Sequence, residues 1–395
     1  MGAEGVGGPD VAVSQNEGAP VEAMSEAEPS AEGSPMAAVT EGAPVPEGIA
    51  APAESDAMPG AAAGSTVDDP AYMGDGDFTV TTLTMQPELT NRGAPEGRRF
   101  QFIMDSTRSA IFDGSDPTVN AAERHLTRQV TVYIPAQYAD GTPAPILVLQ
   151  DGPPSPGGWG DTAPFEAVTR ALDNMTISED PARKIPAFIA IGVENGGSDS
   201  KGSERGLEYD TLSDRYARFV DLEVLPAVLG DAAIRAAYPG LAITADPEGR
   251  ATYGCSSGAA ASFTMAWFRP DLFRRVITYS GTFVAQQNEG QPETPMYPGG
   301  AWEYHSGLQL IANTDPVKPV RVHLNVNERD NGSTAPESGQ HNWVLANQHM
   351  AEVLKAKGYH YRFNFVPGLG HCDYTAWRAT LADTLIWTWR GYPTD

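Results

Sequence analysis

Two dipeptides hold the reactive residues of this chain. Ser256 is the centre of Gly254-Cys255-Ser256-Ser257-Gly258, a G-x-S-x-G pattern, and His371 closes Gly368-Leu369-Gly370-His371. A serine hydroxyl becomes a nucleophile toward an acyl carbon when a neighbouring imidazole takes its proton. The only two cysteines flank these residues, in Cys255-Ser256 and His371-Cys372. A Cys255–Cys372 disulfide would tie nucleophile to base, because a bridge needs Cα atoms within about 7 Å and a serine–histidine hydrogen bond brings chain neighbours that close. Two cysteines and one histidine in these contexts lack metal-ligand spacing, so no metal is expected.

The elements around these residues fit the chemistry. Ala251 to Cys255 reads as a strand running into the Ser256 turn, and Ser257 to Phe268 as a helix of small residues. Gly254 and Gly258 would let strand and helix approach closely. Buried strands are expected at Ile146–Leu149 and Ala187–Val193, and further strands at Arg275–Tyr279, Arg321–Val326 and Tyr361–Val366. Helices are expected at 163–174, Tyr216–Leu229 (interrupted near Pro226), His341–Lys357 and Trp377–Trp389. Three earlier alternating stretches, Phe78–Leu83, Phe100–Met104 and Gln129–Ile134, predict an antiparallel N-terminal edge. The fold class is therefore α/β, a mostly parallel central sheet with helices on both faces.

The carboxylate that orients the base should come between Ser256 and His371, from the loop after the next-to-last strand. Asp330 fits, in Val326-Asn327-Glu328-Arg329-Asp330, and Glu328 is the alternative acid. Asp330 is favoured because it lies further past the strand end. An oxyanion hole needs backbone N–H donors aimed at the developing charge. Ser257 would supply one, and Gly152 or Asp151 the other, since Pro153 has no N–H. Trp302, Tyr304 and Trp159 are candidates for shaping the substrate pocket. The remaining histidines, at 125, 305, 323, 341, 349 and 360, read as packed or solvated, with His305 the one placed to wall the site. Arg205 and Glu208 read as a structural ion pair.

The 395 residues carry a net charge of −25, and residues 1–75 hold fourteen acids, no Lys or Arg, and one aromatic, Tyr72. Such a segment cannot bury enough apolar surface to order itself and reads as a disordered acidic Ala/Pro/Glu-rich tail before a globular domain at 76–395. No basic stripe exists, which argues against nucleic acid. No stretch of about 18 apolar residues exists, so no transmembrane segment is expected. Met1-Gly2-Ala3-Glu4 has neither a basic n-region nor an apolar h-region. A disulfide needs an oxidising compartment, so the reading is an exported protein (periplasmic, secreted or lipid-anchored) whose leader is missing from this sequence. The alternative is a cytosolic protein with a solubilising tail.

Residues from about 75 to 394 resemble the esterase family of α/β-hydrolases that includes enterochelin esterase, the esterase D type and bacterial feruloyl and acetylxylan esterases. The resemblance is carried by Val130–Pro135, Val148–Gly152, Arg205–Asp210, Gly254–Gly258, Tyr279–Thr282, Gly300–His305 and Gly370-His371. It implies Ser256 as nucleophile, His371 as base and an acid from a G-x-x-D/E loop. Here Asn327 stands in place of the Gly, with Asp330 at the acid position, and Ala259 in place of a second Gly after the elbow. Cys255-Ser256 with His371-Cys372 looks like the CS-D-HC arrangement of the tannase and fungal feruloyl esterase family. The implied function is a serine carboxylesterase acting without a cofactor on a small-molecule or polysaccharide-linked ester. Feruloyl or other aryl, acetyl-sugar and siderophore-like esters all fit. An acyltransferase on the same triad and a non-catalytic hydrolase-like surface binding protein are the alternatives.

Overall fold

In this computed structural model, residues 74–393 are described apart from 124–125, 157, 159 and 198–201. Residues 1–73 of the acidic tail, His125 and Trp159 therefore lie outside the described residues, while Asp75, expected at the end of the tail, accepts the Trp387 Nε1–H at 2.8 Å. The strands are β1 (Gly76–Thr79), β2 (Arg98–Asp105), β3 (Thr127–Ile134), β4 (Pro143–Ala144), β5 (Ile146–Gln150), β6 (Ile189–Val193), β7 (Ala242–Ile243), β8 (Arg250–Cys255), β9 (Arg275–Tyr279), β10 (Arg321–Arg329) and β11 (His360–Gly370). The helices are α1 (Thr162–Thr176), α2 (Glu204–Tyr209), α3 (Arg215–Phe219), α4 (Leu225–Gly230), α5 (Ala232–Ala237), α6 (Ser257–Phe268), α7 (Trp343–Lys357) and α8 (Tyr374–Trp389).

Nine strands form one sheet in the order β1-β11-β10-β9-β8-β5-β6-β3-β2, while β4 and β7 make a separate short pair. Seven neighbours from β1 to β6 run parallel, and β3 and β2 close one edge antiparallel. Parallel strands need both faces covered. Accordingly β5, β6 and β9 are buried at every residue. One apolar cluster, with Val148, Ile191, Phe263 and Leu324, lies on one face, and another, with Leu149, Phe165, Tyr253 and Leu385, on the other.

Three elements differ from the sequence expectation. The stretch at Phe78 does not join the antiparallel edge. As β1 it pairs parallel with β11 at the opposite edge, and Arg362 stacks on the Phe78 ring at 4.1 Å. Alternation reports a half-buried strand but not which neighbour it takes. The helix through Pro226 is not interrupted there either. A π-helical turn at Val220–Val224 joins α3 to α4, and Pro226 is the second residue of α4, directly after that wider turn. Finally, α8 begins three residues before Trp377 because Asp373 caps it, accepting the Thr375 N–H.

Buried histidines make this core acid-sensitive. His323 on β10 is fully buried, and its Nε2 lies 3.0 Å from Thr384 Oγ1 and 3.2 Å from Asn364 Nδ2. Burial pushes its pKa down to about 3, and that of His305 to about 4, from 6.5. The unfolded chain therefore takes up protons near pH 6.5 that the folded chain refuses, and stability is lost as pH falls from 6.5 toward 4. Melting temperature is expected to decline from about pH 7 to about pH 4.5, less steeply in His305→Gln. Parallel curves for the two proteins would remove His305 from this account.

Candidate active site

Ser256, Asp330 and His371 all follow the carboxyl ends of parallel strands, where open α/β sheets place their sites. Ser256 lies between β8 and α6 with φ 58° and ψ −130°, a conformation that costs a non-glycine residue energy. The surroundings enforce it. The Ser256 N–H donates to Tyr279 O at 3.1 Å, and Thr282 N–H donates to Ser256 O at 3.1 Å. A Cβ on Gly254 would collide with the Gly258 carbonyl, and one on Gly258 would come within 2.8 Å of Asp151 Oδ2. Gly254 thus serves the expected approach of strand to helix, whereas Gly258 makes room for the Asp151 side chain after β5.

His371 and Asp330 are brought together. His371 Nδ1 lies 2.5 Å from Asp330 Oδ1. The Asp330 side chain is fully buried, and the Asn331 N–H also donates to Oδ1 at 2.8 Å. Glu328, the alternative acid, instead stays on the exposed end of β10 and accepts the Gly368 N–H at 2.7 Å. It supports the loop before His371 rather than touching the imidazole. Asn327, where a glycine was expected, is buried and donates from Nδ2 to Gly370 O at 2.6 Å. Its amide fixes the residue before His371, a role the sequence did not disclose.

The two cysteines are bonded, with Cα atoms 6.2 Å apart and 117 positions of chain between them. The bridge joins the residue before Ser256 to the residue after His371. Cys372 has φ 47° and donates its N–H to Ser280 Oγ at 3.0 Å. Trp343, at the start of α7, packs edge-on against the His371 ring with centroids 6.2 Å apart. Sequence reasoning missed Trp343 and Ser280, since neither sits in a motif with the reactive residues.

A cleft of about 330 Å³ opens over Ser256, His371 and the disulfide, with Tyr253, Pro164 and Trp377 among its walls. Several expected site residues are elsewhere or otherwise engaged. Tyr304 is fully buried, shares a hydrogen bond with Thr264 at 2.9 Å and packs on Phe263. Trp302 is buried against His305, whose Nε2 lies 2.8 Å from Phe283 O. These three are core residues, and none lines the cleft. Aromatic rings in a long loop bury more apolar area by packing inward than by lining a small opening. The Gly152 N–H donates to Val193 O at 2.9 Å and the Asp151 N–H to Tyr209 Oη at 3.1 Å. Neither expected second oxyanion donor is therefore free. Ser257 is the first residue of α6, where backbone N–H groups lack helical partners. Arg205 does not pair with Glu208: it forks onto Asp151 with two 2.8 Å bonds, and Glu208 takes Arg128 at 2.5 Å.

Comparison with known proteins places the chain in a family. Residues 123–388 match the family described as "Putative esterase". The chain belongs to this family. It is similar to a ferulic acid esterase from the anaerobic fungus Anaeromyces mucronatus at 15% identity and TM-score 0.50, over 79% of this chain and 98% of that one. The same enzyme in complex with ferulic acid gives 14% identity, TM-score 0.51 and coverage of 78% and 98%. An enterobactin esterase from Shigella flexneri gives 18%, TM-score 0.48 and coverage of 77% and 62%. No curated protein matches in sequence. At these identities the likeness to solved structures is one of fold: the esterase family's parallel sheet with its antiparallel edge.

The bridge in this family member closes a long loop, worth about 4–5 kcal/mol in the chain-entropy account. A Cys255→Ala/Cys372→Ala protein is expected to melt about 5 °C or more below the parent. An unchanged melting temperature would show the crosslink to be idle.

Proposed function

We propose that this protein is a serine carboxylesterase in which Ser256 is the nucleophile, His371 the base and Asp330 the residue that orients it. The single observation that carries the reading is the buried Asp330 carboxylate on His371 Nδ1, in a cleft that also holds Ser256 on its strained turn. With Nδ1–H committed to Asp330, the neutral imidazole presents Nε2 as an acceptor. Ser256 Oγ attacks the ester carbonyl while Nε2 takes its proton, and the imidazolium is stabilised by the carboxylate. The tetrahedral oxyanion is held by the Ser257 N–H at the positive end of α6. The alcohol leaves with the proton from His371. A water then attacks the acyl-enzyme, giving its proton to the same nitrogen, and the acid is released as Ser256 is regenerated.

The cleft's walls of Tyr253, Pro164 and Trp377 suit an apolar or aromatic acyl group. Feruloyl-type, acetyl-sugar and siderophore-like esters are the substrates to screen. The disulfide supports export to an oxidising compartment. Among the described residues no helix is long and apolar enough to cross a membrane.

A fluorophosphonate probe is expected to label Ser256 in the folded protein, and Ser256→Ala to abolish both labelling and ester hydrolysis. Asp330→Asn is expected to lower kcat by about 10⁴-fold, whereas Glu328→Gln should change it by about twofold or less. Hydrolysis that survives in Ser256→Ala, or a larger loss in Glu328→Gln than in Asp330→Asn, would overturn these assignments.

A further inference from the structure

The segment after β9 bonds to Ser256 and to Cys372, the residue beside His371. Thr282 reaches Ser256 twice, through its N–H to Ser256 O at 3.1 Å and through its hydroxyl, 3.4 Å from Ser256 Oγ. Ser280, two residues earlier, is fully buried at φ 48°. Its N–H donates to Asn325 O at 2.7 Å, and its Oγ accepts the N–H of Cys372, next to His371. The segment is gripped from outside by one face of α7. Trp343 Nε1–H donates to Thr282 Oγ1 at 3.3 Å, and Asn347, one turn on, donates from Nδ2 to Gly281 O at 2.8 Å. The same Trp343 ring meets the His371 imidazole edge-on.

We propose that Thr282, oriented by Trp343, is a positioning residue that sets the Ser256 hydroxyl for attack, a role that rests on Ser256 being the nucleophile. The chemistry follows from the hydroxyl's inventory of one donor and two acceptor sites. Trp343 occupies one acceptor site of Thr282 Oγ1. In the proposed arrangement the Thr282 proton is turned to Ser256 Oγ, 3.4 Å away, and holds that oxygen in one rotamer as an acceptor. The Ser256 proton is left for His371. Serine has three staggered rotamers, and fixing one removes unproductive orientations before substrate arrives. Ser280 fixes the His371 loop from the same four residues, so one bracket aligns both partners.

Four variants test this: Thr282→Val, Thr282→Ser, Trp343→Phe and the Thr282→Val/Trp343→Phe pair, with Ser256→Ala as control. Thr282→Val is expected to lower kcat and the rate of fluorophosphonate labelling together by about tenfold, with KM changed by about twofold or less. Thr282→Ser keeps the hydroxyl and should stay within about threefold of the parent. The double variant should lose no more than Thr282→Val alone, because Phe keeps a ring against His371 and the indole N–H that it removes acts through Thr282. A Thr282→Val enzyme at parental kcat, a Thr282→Ser enzyme as slow as Thr282→Val, or additive losses in the pair would each overturn the proposal while Ser256→Ala remains inactive. Activity persisting in Ser256→Ala would instead overturn the nucleophile itself. Should Thr282→Val fail to fold, Trp343→Phe decides alone, and parental kcat in that variant defeats the inference.

Discussion

The turn at Ser256 depends on close approach: a Cβ on Gly254 of β8 would collide with the Gly258 carbonyl of α6, and one on Gly258 would press on Asp151 after β5. Ser256 takes its positive φ at this crowded turn. Everything else in the site is arranged around this one strained residue. Backbone strain of this kind persists only where neighbours over-determine it. Here they do so from three sides, through the Tyr279 and Thr282 main chain, the α6 start, and the covalent bridge from Cys255.

The bridge has a second consequence. The proposed nucleophile and base come from strands separated by β9 and β10, so their alignment depends on the loop after β11 holding its place. Such loops are ordinarily the least stable part of a fold. In this chain the loop is held by a covalent bond at Cys372, by the Asn327 amide on Gly370 and by the Glu328 carboxylate on Gly368. Asn327 and Glu328 lie on β10, immediately before Asp330 on the same strand end. The strand that leads to Asp330 thus also holds the segment carrying His371.

The charges near the cleft serve structure first. Arg205 lines the cleft, but its guanidinium is matched to Asp151 in two parallel bonds. A bidentate pair of that kind fixes the loop after β5 and leaves little net charge for substrate. Asp151 is further held by Asn195 Nδ2 at 2.5 Å and itself has φ 53°. This second strained residue faces the first across the cleft floor, beside Gly258.

The sequence by itself determined the local chemistry. Gly254 to Gly258 between a strand and a small-residue helix, His371 after the last strand, Asp330 past the end of the one before it, and a cysteine beside each reactive residue were all legible, because each depends on a few adjacent positions. So was the parallel sheet, because Ile146–Leu149 and Ala187–Val193 read as apolar runs and strands alternate with helices along the chain. What depended on distant partners was not legible. Alternation at Phe78 could not choose between two sheet edges. Nothing in their own segments showed that the N–H groups of Asp151 and Gly152 would be claimed by Tyr209 and Val193, or that Trp302 and Tyr304 would turn into the core. Trp343, Ser280 and Asn327 became site residues only when α7, β9 and β10 were packed against one another. The tertiary structure decided these because hydrogen-bond partners and ring contacts between remote segments exist only after the sheet has set its strand order.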